Sequence, residues 1–169
     1  MPYTTWNGPA PTTGALASAN TGTAIKTMLQ LATPATRQVQ ILEWGFSLDD
    51  PPGGDGVIEL IDTNVAATVT AHVASGIINL DPNGTASLCV GGTSLTGYTA
   101  SVEGAITATR PLDVVSLSSV SGESGLSYVR TFMPDDRPIV AVSRFLRVRA
   151  TTPTTAADMR CWITFQEVG

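Results

Sequence analysis

Charge is scarce in this sequence, and lysine and histidine are almost absent from it. Only 14% of the 169 residues are Asp, Glu, Lys or Arg, whereas about 25% is usual in soluble domains. Lys26 is the only lysine, and the formal net charge is -5. A nucleic-acid-binding surface needs clustered cations that neutralise phosphates. The sequence therefore predicts no nucleic-acid partner, and a surface that is either rich in hydroxyl groups or covered by partners.

Long apolar runs are also missing. No stretch of about 18 apolar residues is present, so the sequence predicts no membrane span. The first residues, MPYTTWNGPAPTTG, lack the basic and apolar segments of a secretory signal, which predicts synthesis in the cytoplasm. Cys89 and Cys161 are the only cysteines. A reducing compartment favours two free buried thiols over a disulfide.

The residue types that most enzymes use are few. His72 is the sole histidine, so a metal site built from several imidazoles cannot form. A Ser-His-Asp or Cys-His arrangement would depend on the same residue, and its surroundings, TAHVAS, contain no nucleophile motif. Glu43 lies in an apolar stretch, where pairing with an arginine is favoured over a role as a general acid. We predict no catalytic residue, no metal and no cofactor.

Short β-type segments separated by Gly, Pro, Ser or Asp fill the chain from about residue 23. In RQVQILEWGFSL (37–48), Val39 and Ile41 form one apolar face, and Leu42 and Trp44 then continue on the other. This predicts a central strand with a bulge near Ile41 and Leu42, or a strand covered on both sides. About eight strands without a convincing amphipathic helix predict an all-β fold. We expect an antiparallel, jelly-roll-like β-sandwich over residues 23–169.

Residues 1–22 differ in composition from the rest, because they consist largely of Pro, Thr, Ala, Gly and Asn. Tyr3 and Trp6 are the only large anchors, too few for the segment to fold alone. The sequence predicts an extended, flexible N-terminal arm. It is either a frayed terminus or a segment that orders against a neighbouring subunit through those two aromatic residues.

Four arginines mark the last two strands. Arg147 and Arg149 alternate with apolar residues in SRFLRVRATT, Arg144 begins that strand, and Arg160 begins the next. They either form bidentate pairs with carboxylates across a subunit boundary or make up a solvated outer face. Trp162 shares the face of Arg160 and is expected to be partly exposed. The candidate interface with other subunits or another partner is therefore Tyr3, Trp6, Arg144, Arg147, Arg149, Arg160 and Trp162.

Several phrases of strand and turn resemble a known group. ILEWGFSLD, VIELIDTNVAATVTAHVASGI, TSLTGYTASVEGAITATR, FLRVRATT and CWITFQE are similar to small proteins of tailed bacteriophages and prophages of actinobacterial hosts. Those proteins are head decoration, or minor capsid, proteins, and the similarity covers most of residues 23–167. The resemblance implies a jelly-roll-like sandwich that docks on the outside of an assembled capsid as a homotrimer. It implies no catalytic residues.

These expectations combine into a structural virion protein that reinforces the shell from its outer surface. Its expected partners are the major capsid protein and further copies of itself. The alternative is a surface-exposed glycan- or host-recognition module on the head or tail. A hydrolase is the third reading, and it would require a buried acid pair about 5 to 10 Å apart.

Overall fold

The fold comes from a computed structural model that describes residues 1–9, 15–49, 53–89, 91–105, 109–118 and 126–169. Within these ranges the chain forms thirteen strands and one short 3-10 turn, and it has no α-helix. The strands are β1 (Pro2–Trp6), β2 (Ala19–Asn20), β3 (Lys26–Ala32), β4 (Gln38–Leu48), β5 (Gly56–Thr63), β6 (Thr68–Ala71), β7 (Ile77–Asn79), β8 (Gly97–Val102), β9 (Thr109–Leu117), β10 (Leu126–Thr131), β11 (Ile139–Val140), β12 (Phe145–Thr151) and β13 (Asp158–Val168).

The strands form two antiparallel sheets that pack on each other. The seven-stranded sheet has the order β10-β4-β13-β1-β7, with β11 paired to β4 and β2 paired to β13. The six-stranded sheet has the order β6-β8-β3-β12-β5-β9. The predicted all-β antiparallel sandwich is confirmed. The strand count exceeds the predicted eight because several strands are only two to four residues long, and the jelly-roll connectivity stays a prediction.

The core lies between the sheets and follows the period-two pattern of the longest strands. On β13, Met159, Cys161, Ile163 and Phe165 face inward and are fully buried. On β4, Trp44 and Phe46 do the same from the neighbouring strand, and their rings lie 5.9 Å apart. Burial of each large apolar side chain stabilises the fold by about 1.5 to 3 kcal/mol. The two sheets are therefore held together mainly by this layer.

The predicted bulge in β4 is confirmed. Thr164 pairs with Glu43 and the next residue, Phe165, pairs with Ile41, so Leu42 is the additional residue on β4. An extra residue moves the following side chains to the opposite face. This explains why Ile41 and Trp44, which are three positions apart, both reach the core.

The chain's beginning differs from the flexible arm that the sequence predicts over residues 1–22. Residues Pro2–Trp6 form β1, which is inserted between β13 and β7 in the seven-stranded sheet. Its backbone hydrogen bonds to both neighbours compensate for its low apolar content, which composition alone does not reveal. Residues 10–14 of the predicted arm lie outside the described residues.

Candidate interaction surfaces

Arg147 lies inside the protein. Its side chain is fully buried on the outer face of the six-stranded sheet. It donates hydrogen bonds to the Thr27 hydroxyl and to the backbone carbonyls of Val65 (3.2 Å) and Glu103 (3.2 Å), and it forms an ion pair with the Glu103 carboxylate. Burial lowers the pKa of Arg147, and the Glu103 carboxylate opposes that effect. Its donors are used within its own chain, which corrects both the solvated and the intersubunit interpretation of this residue.

Two chain segments cover that part of the sheet, and strand alternation cannot predict them. Residues 64–67 follow β5 and are fixed by Gln30, which donates to the Ala67 carbonyl (3.0 Å) and accepts from the Ala67 N–H (2.8 Å). Glu103 follows β8 and contacts the hydroxyl of Thr27 as well as Arg147. The central strand β12 is consequently covered on both faces. A strand covered on both faces does not show the simple alternation of buried and exposed side chains.

The other three arginines of the predicted interface also pair with carboxylates of the same chain. Arg149 pairs with Glu59 at 2.9 Å, and Arg144 pairs with Asp62 at 2.9 Å. Arg160 pairs with Asp49 at 2.7 Å. Only the Arg160–Asp49 pair is exposed on both sides, and a pair of that kind contributes less than about 1 kcal/mol to stability. Their main consequence is that little uncompensated positive charge remains on these strands for a partner.

Tyr3 is part of the core and is not an exposed anchor. It is 3% exposed, its ring stacks on Phe165 with centroids 5.6 Å apart, and its hydroxyl donates to the Thr85 carbonyl at 3.1 Å. A side chain buried in this way within its own sheet is not free to enter a neighbouring subunit. The interpretation of Tyr3 as an intersubunit anchor is therefore corrected.

Trp6 and Trp162 come together on the outer face of the seven-stranded sheet. They are direct cross-strand partners on β1 and β13, and their ring centroids are 5.0 Å apart at an interplanar angle of 32°. Both are partly exposed, as predicted for Trp162. The pairing continues through Gly45 on β4 to Val129 on β10. We call this line of four residues, Val129, Gly45, Trp162 and Trp6, the tryptophan row.

Glu43 and Gly45 fix the position of the Trp162 indole. The Trp162 Nε1–H donates to Glu43 Oε1 at 3.1 Å, and the Thr131 hydroxyl donates to Glu43 Oε2 at 3.0 Å. A Cβ at Gly45 would lie 2.4 Å from Trp162 Cζ2, so the indole occupies the space that a side chain would need. The sequence predicts an arginine partner for Glu43, whereas in the structure its partners are the Trp162 indole N–H and the Thr131 hydroxyl. The isolated glycine in an apolar strand is the sequence signal for such a close approach.

His72 is buried and is hydrogen-bonded to the backbone. It is 1% exposed, and its Nε2 lies 2.8 Å from the Trp6 carbonyl oxygen and 3.2 Å from the Thr5 hydroxyl. Its Nδ1 is buried without a hydrogen-bond partner, and burial lowers the pKa of the imidazole. Within the described ranges, no group of three or more His, Cys, Asp or Glu residues could hold a metal ion.

The two thiols are free and buried, as the sequence predicts. Burial and the nearby Glu167 carboxylate raise the pKa of Cys89 to about 12. Burial alone raises the pKa of Cys161 well above its usual value. Because the thiolate is the reactive form, neither group is prepared for nucleophilic chemistry.

A second exposed surface lies where the two sheets end together. β10 is the terminal strand of one sheet and β9 of the other, and Asp113 on β9 joins them by accepting from Tyr128 (2.8 Å) and Arg130 (2.8 Å) on β10. Six of the thirteen exposed large hydrophobic residues among those described lie between residues 114 and 142. They are Val114, Leu126, Val129, Met133, Ile139 and Val142. We use the name β9–β10 edge for the two terminal strands together with the exposed apolar residues on them and on the segment that follows β10.

No helix within the described ranges has the length and apolar character needed to cross a membrane. No family model matches the chain, and no curated protein matches it.

Proposed function

We propose that this protein is a non-enzymatic structural component of a tailed-bacteriophage particle. In this proposal it binds the outside of the assembled capsid as a homotrimer and reinforces the shell. The phage assignment and the trimer rest on the resemblance of its strand and turn phrases to head decoration proteins. The structural observation that carries the contact function is the β9–β10 edge.

The β9–β10 edge has the properties expected of an interaction surface. Terminal strands expose unpaired backbone N–H and C=O groups, and proteins usually protect them with charges, proline or bulges. β9 contains Pro111 and a register shift next to it. β10 contains no proline, and its one charged residue, Arg130, is paired with Asp113. This less protected strand also carries the exposed Val129 (52%) and is followed by the exposed Met133 (67%).

The charge distribution also supports a role in contacts. Six of the eight arginines form ion pairs with carboxylates of the same chain. Local pairing leaves a surface of low charge, which loses less solvation energy in an interface than unpaired ions would. When several weak contacts of one trimer bind the same capsid lattice, the overall affinity exceeds that of each contact, because the first contact raises the effective concentration of the others.

The environments of the histidine and of the two thiols are consistent with this function. The single histidine has its Nε2 hydrogen-bonded to backbone, and both thiols have raised pKa values. A reinforcing protein needs only contact area, and stable interfaces bury about 1,200 to 2,000 Å² in total. Binding to the completed lattice then stabilises the lattice by mass action.

The test uses the double variant V129K/M133K and actinophage capsids that lack the protein. We expect wild type to form trimers and to sediment with capsids, and the double variant to lose at least about tenfold in affinity, because two lysines must be desolvated at the contact. V102K is the matched control, since Val102 is an equally exposed valine (59%) on β8. Equal binding by all three proteins, or no binding of wild type to capsids, contradicts the proposal.

A further inference from the structure

We propose that the tryptophan row is a binding site for uncharged oligosaccharides. The site consists of the Trp6 and Trp162 rings with hydroxyl-bearing residues in the rows on either side of them. This inference does not depend on the proposed capsid function. It concerns the outer face of the seven-stranded sheet, which meets the β9–β10 edge at Val129, and its test uses the two tryptophans and no residue of that edge.

The first argument is that the aromatic surface is held in place. Trp162 is anchored by its hydrogen bond to Glu43 Oε1 and lies over Gly45, and Trp6 packs against it with centroids 5.0 Å apart. The backbone carbonyl of Trp6 is itself held by His72 Nε2 at 2.8 Å. A ligand that stacks on fixed rings does not have to order them first, so less conformational entropy is lost on binding.

The second argument is the chemistry on both sides of the rings. On one side Thr131, Glu43 and Thr164 are successive partners across β10, β4 and β13, followed by the largely buried Thr4 on β1, and on the other side Ser127, Ser47 and Arg160 are successive partners across β10, β4 and β13. Neutral hydroxyl groups both donate and accept hydrogen bonds. One face of a sugar ring presents C–H groups that suit the negative face of an indole, while its hydroxyl groups extend sideways. The row and its neighbours match that division into an apolar centre and polar flanks.

The third argument concerns charge, and it selects an uncharged ligand. Glu43 is the carboxylate beside the rings, and both of its oxygens already accept hydrogen bonds from Trp162 and Thr131. Arg160, on the other side of Trp162, is paired with Asp49. No uncompensated cation therefore faces this part of the described surface, whereas an anionic polysaccharide or a nucleic acid would require one.

A purely structural pair is the competing explanation, since cross-strand aromatic partners stabilise sheets by about 0.2 to 1 kcal/mol. Such a pair would not bind sugars. The two explanations differ in ligand binding and not in stability, so binding is the quantity to measure.

The experiment titrates the full chain with uncharged hexasaccharides of glucose, mannose, xylose and N-acetylglucosamine, with alginate as the anionic comparator. Calorimetry measures affinity, and tryptophan emission reports contact with the rings. We expect at least one uncharged hexasaccharide to bind. We expect W162A to weaken it at least tenfold, W162F to weaken it less than W162A, and F145A to leave it unchanged. Phe145 is a partly buried aromatic residue on the six-stranded sheet and serves as the matched control.

Folding of each variant is checked by circular dichroism. If W162A does not fold, the affinities of W6F and W162F are compared with that of F145A. In addition, bound sugar should protect the tryptophan emission from quenching by acrylamide. Absence of binding by every uncharged hexasaccharide at millimolar concentration overturns the proposal. Binding of alginate alone, or equal affinity of wild type and the tryptophan variants, does so as well.

Discussion

The guanidinium group of Arg147 forms an ion pair with the carboxylate of Glu103 in a place where Arg147 has no contact with solvent. A buried guanidinium loses its hydration, and the loss is tolerated only if its N–H groups find acceptors. Here the acceptors are the Thr27 hydroxyl, two backbone carbonyls and the Glu103 carboxylate. The pair thereby fastens the segment after β8 to the central strand β12.

This geometry predicts unequal effects for the two halves of the pair. E103A should lower the free energy of unfolding by about 3 to 5 kcal/mol, because it leaves a buried guanidinium without its counter-charge. R147M should cost less, because the Glu103 side chain is 23% exposed and can reach water. Urea unfolding measures both values.

R110A is the control for that comparison. Arg110 is 54% exposed in its pair with Asp62, so the variant should lose less than about 1 kcal/mol. A loss for E103A no larger than that of R110A would show that the buried pair has no special role.

Asp113 gives a prediction that can be read from a tyrosine titration. Its Oδ2 accepts from Trp44 Nε1 at 3.0 Å and from the Tyr128 hydroxyl at 2.8 Å. Burial and the Asp113 carboxylate raise the pKa of Tyr128. D113N removes the negative charge, so the pKa of Tyr128 should fall towards its usual value in an ultraviolet titration.

A second substitution at Asp113, to alanine, tests the connection between the two sheets. D113A should lower stability by about 1 to 3 kcal/mol, because the N–H of the buried Trp44 side chain loses its acceptor. D113N keeps one acceptor oxygen and should lose less. An unchanged Tyr128 titration in D113N would contradict the assigned hydrogen bond.

Much of the sandwich could be predicted because its long strands obey simple alternation. The apolar faces of β4 and β13, and the shift of face at Leu42, are local features of the sequence. Each follows from the two-residue period of a strand and the effect of one extra residue on it. The all-β class therefore needed no knowledge of distant contacts.

The arginine environment could not be predicted in the same way. Arg147 is 44 residues from Glu103 and 120 from Thr27, and only the folded chain brings them together. Tyr3 is likewise buried by a partner at the other end of the chain, Phe165. The composition of the first residues predicts an arm. It contains no information about β13 and β7, the two distant strands between which these residues pair.

His72 predicts a loss of stability in acid. The folded protein holds this imidazole at a pKa below the usual value of about 6.5, because burial disfavours its charged form. The unfolded chain then binds more protons between those two pKa values, so stability falls as pH decreases through that window. Above about pH 6.5 the stabilisation is complete, and below the folded pKa the loss is constant.

H72Q separates this effect from that of the carboxylates. Its amide retains a donor for the Trp6 carbonyl and does not titrate. The difference in unfolding free energy between wild type and H72Q should be constant above about pH 7 and should decrease below pH 6.5. A difference that is independent of pH from 4 to 8 would contradict the assigned burial of the imidazole.

The two thiols predict an order of chemical labelling. In the native protein at pH 8 neither should react appreciably with a thiol-specific disulfide reagent, because burial keeps both as thiols. Cys89 lies beside the exposed Leu88 in a loop, whereas Cys161 lies in the middle of β13. Local opening of the loop should therefore expose Cys89 at lower urea concentrations than Cys161. Mass spectrometry of samples labelled across a urea series gives the order of labelling. The C89S variant serves as the control, because it shows the reaction of Cys161 alone. Simultaneous labelling of both thiols at every urea concentration would contradict the prediction, because the loop and β13 would then open as one unit.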